Sequence, residues 1–144
     1  MRSRMTSTFA TEKPSWLRAL ADPQMGAALS MMHAEPGRPW TVGDLAKSVS
    51  MSRSAFADRF RKLAGETPLD HLTQWRMVKA ANMLCGQRSL KLASIATAVG
   101  YDSESSFGKV FRRLMGVSPG RYRALRGQED QTTSRLPLRT NWSR

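Results

Sequence analysis

An internal repeat constrains this chain more than any other feature. Leu45, Ala46 and Val49 recur 50 positions later as Ile95, Ala96 and Val99. Phe56, Phe60, Leu63, Gly65 and Pro68 recur 51 positions later as Phe107, Phe111, Leu114, Gly116 and Pro119. The extra residue falls between the two blocks, where a turn accepts insertion at little cost. A pattern repeated at a fixed offset requires two copies of one supersecondary unit. Each copy reads as helix, tight turn, helix, because its apolar residues fall at i, i+3 or i+4, and i+7.

Residues 1–13 are polar and unpatterned and read as a loose arm, and the rest of the chain to about Leu125 is helical as well. Pro14 to Ala21 reads as a short helix presenting Trp16, Leu17 and Leu20. Asp22-Pro23 opens another, with the carboxylate as cap and proline in the first turn. Met25, Ala28, Leu29 and Met32 share one face of it, and Pro36-Gly37 stops it. Thr41 and Asp44 form a variant of the capping box. Ser52 and Ser103 cap the second helix of each repeat, and Gly65 and Gly116 end them. Thr67-Pro68 starts a long helix to about Cys85, with Leu72, Trp75, Val78 and Leu84 as its expected inner face. Ser118-Pro119 starts a last helix to about Leu125. No segment alternates as a strand does. The expected fold is all-α, with seven or eight short helices. Two homeodomain-like helix-turn-helix subdomains are joined by a long central helix. The expected boundaries are 1–21 for an N-terminal arm and short helix, 22–66 for the first subdomain and 67–86 for the linker helix. The second subdomain takes 87–126, and 127–144 is a flexible tail. Ser50 stands where the second repeat has Gly100, so the first turn is expected to be less tightly formed.

The repeat admits two readings, a scaffold of αα-hairpins or a pair of helix-turn-helix motifs. Solenoid scaffolds need three or more repeats. Charge favours the second reading. The net charge is +12. Residues 1–15 carry +2 (Arg2, Arg4 and Lys13 against Glu12) and residues 127–144 carry +1 (Arg135, Arg139 and Arg144 against Glu129 and Asp130), which leaves +9 in the patterned middle. A folded basic face, and a polyanionic partner, follow from that distribution. Opposite the Phe stripe, the first unit shows Arg53, Ser54, Ala57, Asp58 and Arg61. The same offsets in the second give Glu104, Ser105, Gly108, Lys109 and Arg112. The small residues let a backbone approach, and long polar ones flank them. Arg61-Lys62 and Arg112-Arg113 end the two faces with paired positive charge suited to phosphates. Cations at a helix C-terminus also favour the helix dipole. That explains one pair better than a duplicated one.

Other chemistries find little support. Cys85 is the single cysteine, so no intrachain disulfide forms, and it reads as a small buried hydrophobe. His33 and His71 lie far apart in the chain with no cysteine cluster, so they read as surface or helix-packing residues rather than zinc ligands. No nucleophile-base pairing, phosphate-cradling glycine loop or carboxylate pair suggests catalysis. No cofactor or metal is expected. Without a signal-peptide pattern or a membrane-length apolar run, the expected location is cytoplasmic, at the nucleoid.

The ordered set Ile95-Ala96, Gly100-Tyr101, Ser105-Ser106-Phe107-Gly108-Lys109-Val110-Phe111-Arg112-Arg113, Gly116-Val117-Ser118-Pro119 and Tyr122-Arg123 resembles the DNA-binding domain of the AraC/XylS family. The resemblance covers about residues 22–125. It implies two helix-turn-helix subdomains on a central helix, promoter binding, and activation through RNA polymerase. By position it implies base-reading faces of Arg53, Ser54, Ala57 and Asp58 in the first unit, and of Glu104, Ser105, Gly108 and Lys109 in the second. Arg61, Lys62, Arg112 and Arg113 would meet phosphates. Asp58 departs from the basic or neutral residue common there. It either accepts from a cytosine amino group or pairs with Lys62 one turn on, the second being favoured. Glu104 either holds Lys109 through a poor i to i+5 contact or reads a cytosine. Larger members carry an effector-binding β-barrel, for which this chain is expected to have no room. The alternative function is a polymerase- or regulator-docking protein with only non-specific DNA binding.

Overall fold

Capping side chains set the helix boundaries. The computed structural model describes residues 16–86 and 90–135. The arm expected over residues 1–13 lies outside them. Among the described residues there are eight helices and no strand: α1 (Trp16–Leu20), α2 (Pro23–Ala34), α3 (Val42–Ser48), α4 (Arg53–Ala64), α5 (Pro68–Gly86), α6 (Leu92–Ala98), α7 (Glu104–Met115) and α8 (Pro119–Arg135). Asp22 caps α2 by accepting from Met25 N–H. Thr41 and Asp44 close a complete capping box on α3. Ser52 and Ser103 accept from Ala55 N–H and Ser106 N–H at the starts of α4 and α7. Gly65 and Gly116 end those helices in the left-handed conformation, at φ 81° and 88°. A residue with a Cβ would be strained at either place.

The chain divides into two compact units, one up to Trp75 and one from Arg76. The first buries Met25, Leu29, Met32, Leu45, Phe56 and Phe60 completely. In the second, Leu84, Ile95, Val99, Phe107 and Phe111 are equally inaccessible. Each buried Phe contributes roughly 1.5–3 kcal/mol through removal of apolar surface from water. The paired Phe rings of each unit therefore anchor α4 and α7 to their cores.

Helix α5 differs from its sequence reading. Val78, expected inside, is 43% exposed, and Met77 is buried instead. The cause is that α5 serves both units. Leu72 belongs to the first core, whereas Met77, Ala80, Ala81 and Leu84 belong to the second. Met77 follows Leu72 by five positions, which one 3.6-residue stripe cannot hold. Helix α8 also differs, running through Arg135 rather than ending near Leu125. No proline interrupts the sequence until Pro137, and Gly127 alone costs about 1 kcal/mol.

Candidate nucleic-acid interface

Both helix-turn-helix turns are built from the same hydrogen bonds. In the first, Met51 N–H donates to the Ala46 carbonyl over 2.9 Å and Ser50 N–H to that of Lys47 over 3.1 Å. In the second, Tyr101 N–H donates to Ala96 over 2.9 Å and Gly100 N–H to Thr97 over 3.0 Å. The intervening position requires a left-handed backbone. Gly100 takes it at φ 94° and Ser50 at φ 60°. The looser first turn expected from Ser50 is not observed. Leu45 and Ala46 on one side and Phe56 on the other are buried, and their packing imposes the conformation at a cost of roughly 1–2 kcal/mol. The extra residue of the second unit is Asp102, between Tyr101 and the cap Ser103.

These turns present α4 and α7 with matching faces. On α4, Arg53, Ser54, Asp58, Arg61 and Lys62 are exposed and Ala57 is half-buried. On α7, Glu104, Ser105, Lys109, Arg112 and Arg113 are exposed and Gly108 is half-buried. A Cβ added at Gly108 would meet no heavy atom within 4 Å. That stretch of backbone is open to a ligand. At the start of α4, Ser52, Arg53, Ser54 and Ala57 line a shallow groove together with Val42 of α3. Sequence reasoning missed Val42. Its only signal was an apolar residue three positions before buried Leu45.

Charge is distributed differently on the two faces. Lys62 Nζ lies 3.1 Å from Asp58 Oδ2, and both side chains are largely exposed. The Asp58–Lys62 pairing expected one turn apart is thus formed in the unbound chain. An exposed i, i+4 pair of this kind is worth only about 0.3–0.5 kcal/mol, so an incoming ligand can displace it. Among the described residues no carboxylate, Glu104 included, lies within ion-pair distance of Lys109. The second face thus carries Lys109, Arg112 and Arg113 against one carboxylate. Arg61-Lys62 and Arg112-Arg113 occupy the last turns of their helices, where they also oppose the negative end of the dipole.

The two histidines, distant in sequence, are adjacent in the first unit. Their Nε2 atoms are 2.8 Å apart. His71, only 1% exposed, places its Nδ1 2.8 Å from Glu66 Oε2. Gln74 donates to the other Glu66 oxygen over 2.8 Å. With His71 Nδ1–H donating to the carboxylate, its Nε2 accepts from the Nε2–H of His33. His33 stacks on Trp75 with ring centroids 3.8 Å apart, and Trp16 sets its edge against both histidines. Burial, and secondarily the neighbouring His71, push the His33 pKa down to about 4. His71 is therefore a core residue, and His33 packs between helices. Among the described residues no group of three or more His, Cys, Asp or Glu side chains is placed to hold a metal ion. Cys85, expected to be buried, is a half-exposed free thiol. Among those residues no helix is long and apolar enough to cross a membrane.

Comparison with known proteins gives a consistent result. A helix-turn-helix domain family matches residues 45–125. An AraC-like transcription regulator of Streptomyces lividans is 47% identical over 108 residues, covering 75% of this chain and 35% of that protein. The RCS-specific HTH-type transcriptional activator RclR of Escherichia coli K12 is 46% identical over 113 residues, covering 78% of this chain and 39% of that one. The chain thus spans little more than a third of the length of these curated relatives. Among solved structures, the DNA-binding domain of the global transcriptional factor AdpA, in complex with a target DNA, superimposes with a TM-score of 0.67 at 29% identity, covering 81% of this chain and 98% of that one.

Proposed function

The chain belongs to the AraC family of helix-turn-helix transcription regulators, and from that membership we propose that it binds promoter DNA sequence-specifically through α4 and α7. One observation carries the reading. The two helices repeat the same serine cap, buried Phe pair and left-handed glycine stop, and both turn a small-residue, cation-flanked face to solvent. Arg53, Ser54, Ala57 and Asp58 read bases in one major-groove segment, and Glu104, Ser105, Gly108 and Lys109 in the next. Arg61, Lys62, Arg112 and Arg113 hold phosphates. In this reading residues 22–66 and 87–126 are the two reading subdomains and 67–86 the linker. The chain works at the nucleoid as an activator contacting RNA polymerase, in keeping with the naming of its relative RclR as an activator. No catalytic step is proposed.

Selection of bound sites from random duplexes tests this. The expected product is an asymmetric site with two dissimilar half-sites about 10 base pairs apart, because the two faces differ chemically. An inverted repeat bound by a dimer contradicts the arrangement. The Asp58–Lys62 pair, which occupies part of the first face, favours a second reading, a polymerase-docking protein that grips DNA non-specifically. Recovery of random sequence together with retained polymerase binding would establish that one.

A further inference from the structure

Beyond the buried Phe pair that they share, the two reading helices are tied to their units by different chemistry on one flank. At the position where α7 carries Val110, packed against the second core, α4 carries Arg59. This flank of the helix faces away from Ala57 and toward the start of α2. There the Arg59 guanidinium donates to Asp22 Oδ1. The other carboxylate oxygen, Oδ2, accepts from Met25 N–H over 2.9 Å and caps α2. The Asp22 carboxylate is 10% exposed, and Arg59 together with the Met25 amide holds its pKa below the usual carboxylate range. Two further polar ties run from the same segment. Arg18 donates to the Leu63 carbonyl at the end of α4 over 3.2 Å. Gln24 donates over 2.8 Å to the carbonyl of Val49, where α3 gives way to the turn.

We infer that Asp22 is a positioning residue for the first reading helix, acting through Arg59 to fix the orientation of the face formed by Arg53, Ser54, Ala57 and Asp58. Residues 18–24, which supply all three ties, lie before the region matched by the helix-turn-helix family. The second unit has an apolar contact at the equivalent place, and contacts of that kind are non-directional. A charge-assisted hydrogen bond is directional and stronger than a neutral one. The first face therefore depends on a single carboxylate in a way that the second does not. The effect on DNA rests on the function proposed above, whereas the effect on α4 itself does not.

Two measurements on the full chain test the inference. Asp22→Asn keeps a competent helix cap while removing the charge that holds Arg59. In the unbound protein, this variant should speed amide exchange and shift amide resonances within α4 and leave α7 unchanged. Arg59→Lys, which retains the charge, should largely preserve the wild-type pattern. Unmoved α4 amides, or equal changes in α4 and α7, overturn the inference whatever the protein does to DNA. On the selected duplex, Asp22→Asn should weaken binding roughly three- to tenfold, within the range by which residues that do not touch the ligand modulate its binding. The same change should cost less than about twofold in an Arg53→Ala background, yet its full factor in a Lys109→Ala background. An equal factor in all three backgrounds overturns the positioning role. If α4 responds as stated while the wild type selects no sequence, the positioning stands and the DNA-binding proposal fails.

Discussion

Ser50 and Gly100 occupy the same place in the two turns and share a left-handed backbone, at φ 60° and 94°. Glycine takes this conformation freely, whereas serine bears a penalty of about 1–2 kcal/mol. Part of that is recovered because glycine loses more freedom on folding. Ser50→Gly should therefore stabilise the first unit by about 0.5–1 kcal/mol, seen as a higher denaturant midpoint at unchanged slope. An unchanged or lowered midpoint would show that the serine is unstrained.

A second asymmetry concerns the starts of α3 and α6. Thr41 and Asp44 cap α3 reciprocally, over 2.9 Å and 3.1 Å. The equivalent of Thr41 is Lys91, whose side chain makes no capping bond. Lys91→Thr should stabilise the second unit by about 1 kcal/mol. Adding Ser94→Asp, to complete the box, should bring a further few tenths. Thermal melts of the single and double variants check this, with the double variant expected to melt highest.

Stability should fall in mild acid. His33 is neutral in the folded chain down to about pH 4, whereas an unfolded histidine takes up its proton near pH 6.5. Between these values the unfolded state binds more protons, so stability drops as pH falls through that window and is flat above about pH 7. His33 is half-buried, so the loss is discounted for solvent screening to the order of 1–2 kcal/mol. Melting temperatures from pH 7.5 to 4.5 measure it. His33→Phe, which keeps a ring on Trp75, should melt lower throughout but with a shallower pH slope. An equal slope would assign the effect elsewhere.

What was legible in the sequence and what was not divides along one physical line. Caps, glycine stops and the Phe56–Phe60 and Phe107–Phe111 stripes depend on residues three or four apart, and the structure has them where the spacing put them. So does the solvent exposure of Arg53, Ser54, Lys109 and their neighbours, which follows from lying opposite a buried stripe. The His33–His71 contact and the Asp22–Arg59 tie join residues 38 and 37 positions apart, and no periodicity announces such pairs. Val78 was misplaced because α5 buries different residues for different units. Helix α8 outran its apolar pattern across a polar stretch that contains no proline before Pro137, and an apolar stripe gives no signal there.

Lys109 and Arg113 should separate specificity from grip. Lys109 sits one turn inside α7 beside the open backbone of Gly108, and in the proposed function it donates to guanine O6 or N7. Arg113 lies in the last turn, where a helix entering by its N-terminus leaves the groove. Lys109→Ala should cost about 1–3 kcal/mol on the preferred duplex and relax preference at one or two base pairs. Arg113→Ala should weaken all sequences alike and lower the salt slope by about 1. The check is each variant against a panel of single-base site changes. A uniform loss with Lys109→Ala would make Lys109 a phosphate contact.

The central claim, that α4 and α7 together read DNA sequence, is tested most directly by one ratio. It is the affinity of the chain for its selected duplex divided by that for a scrambled duplex of equal composition, at about 0.15 M salt. A two-headed reader should give roughly 10³ or more, and both affinities should fall steeply as salt rises, since phosphate contacts release counterions. A ratio near one, with the same steep salt dependence on both duplexes, would show a basic protein that grips DNA without reading it.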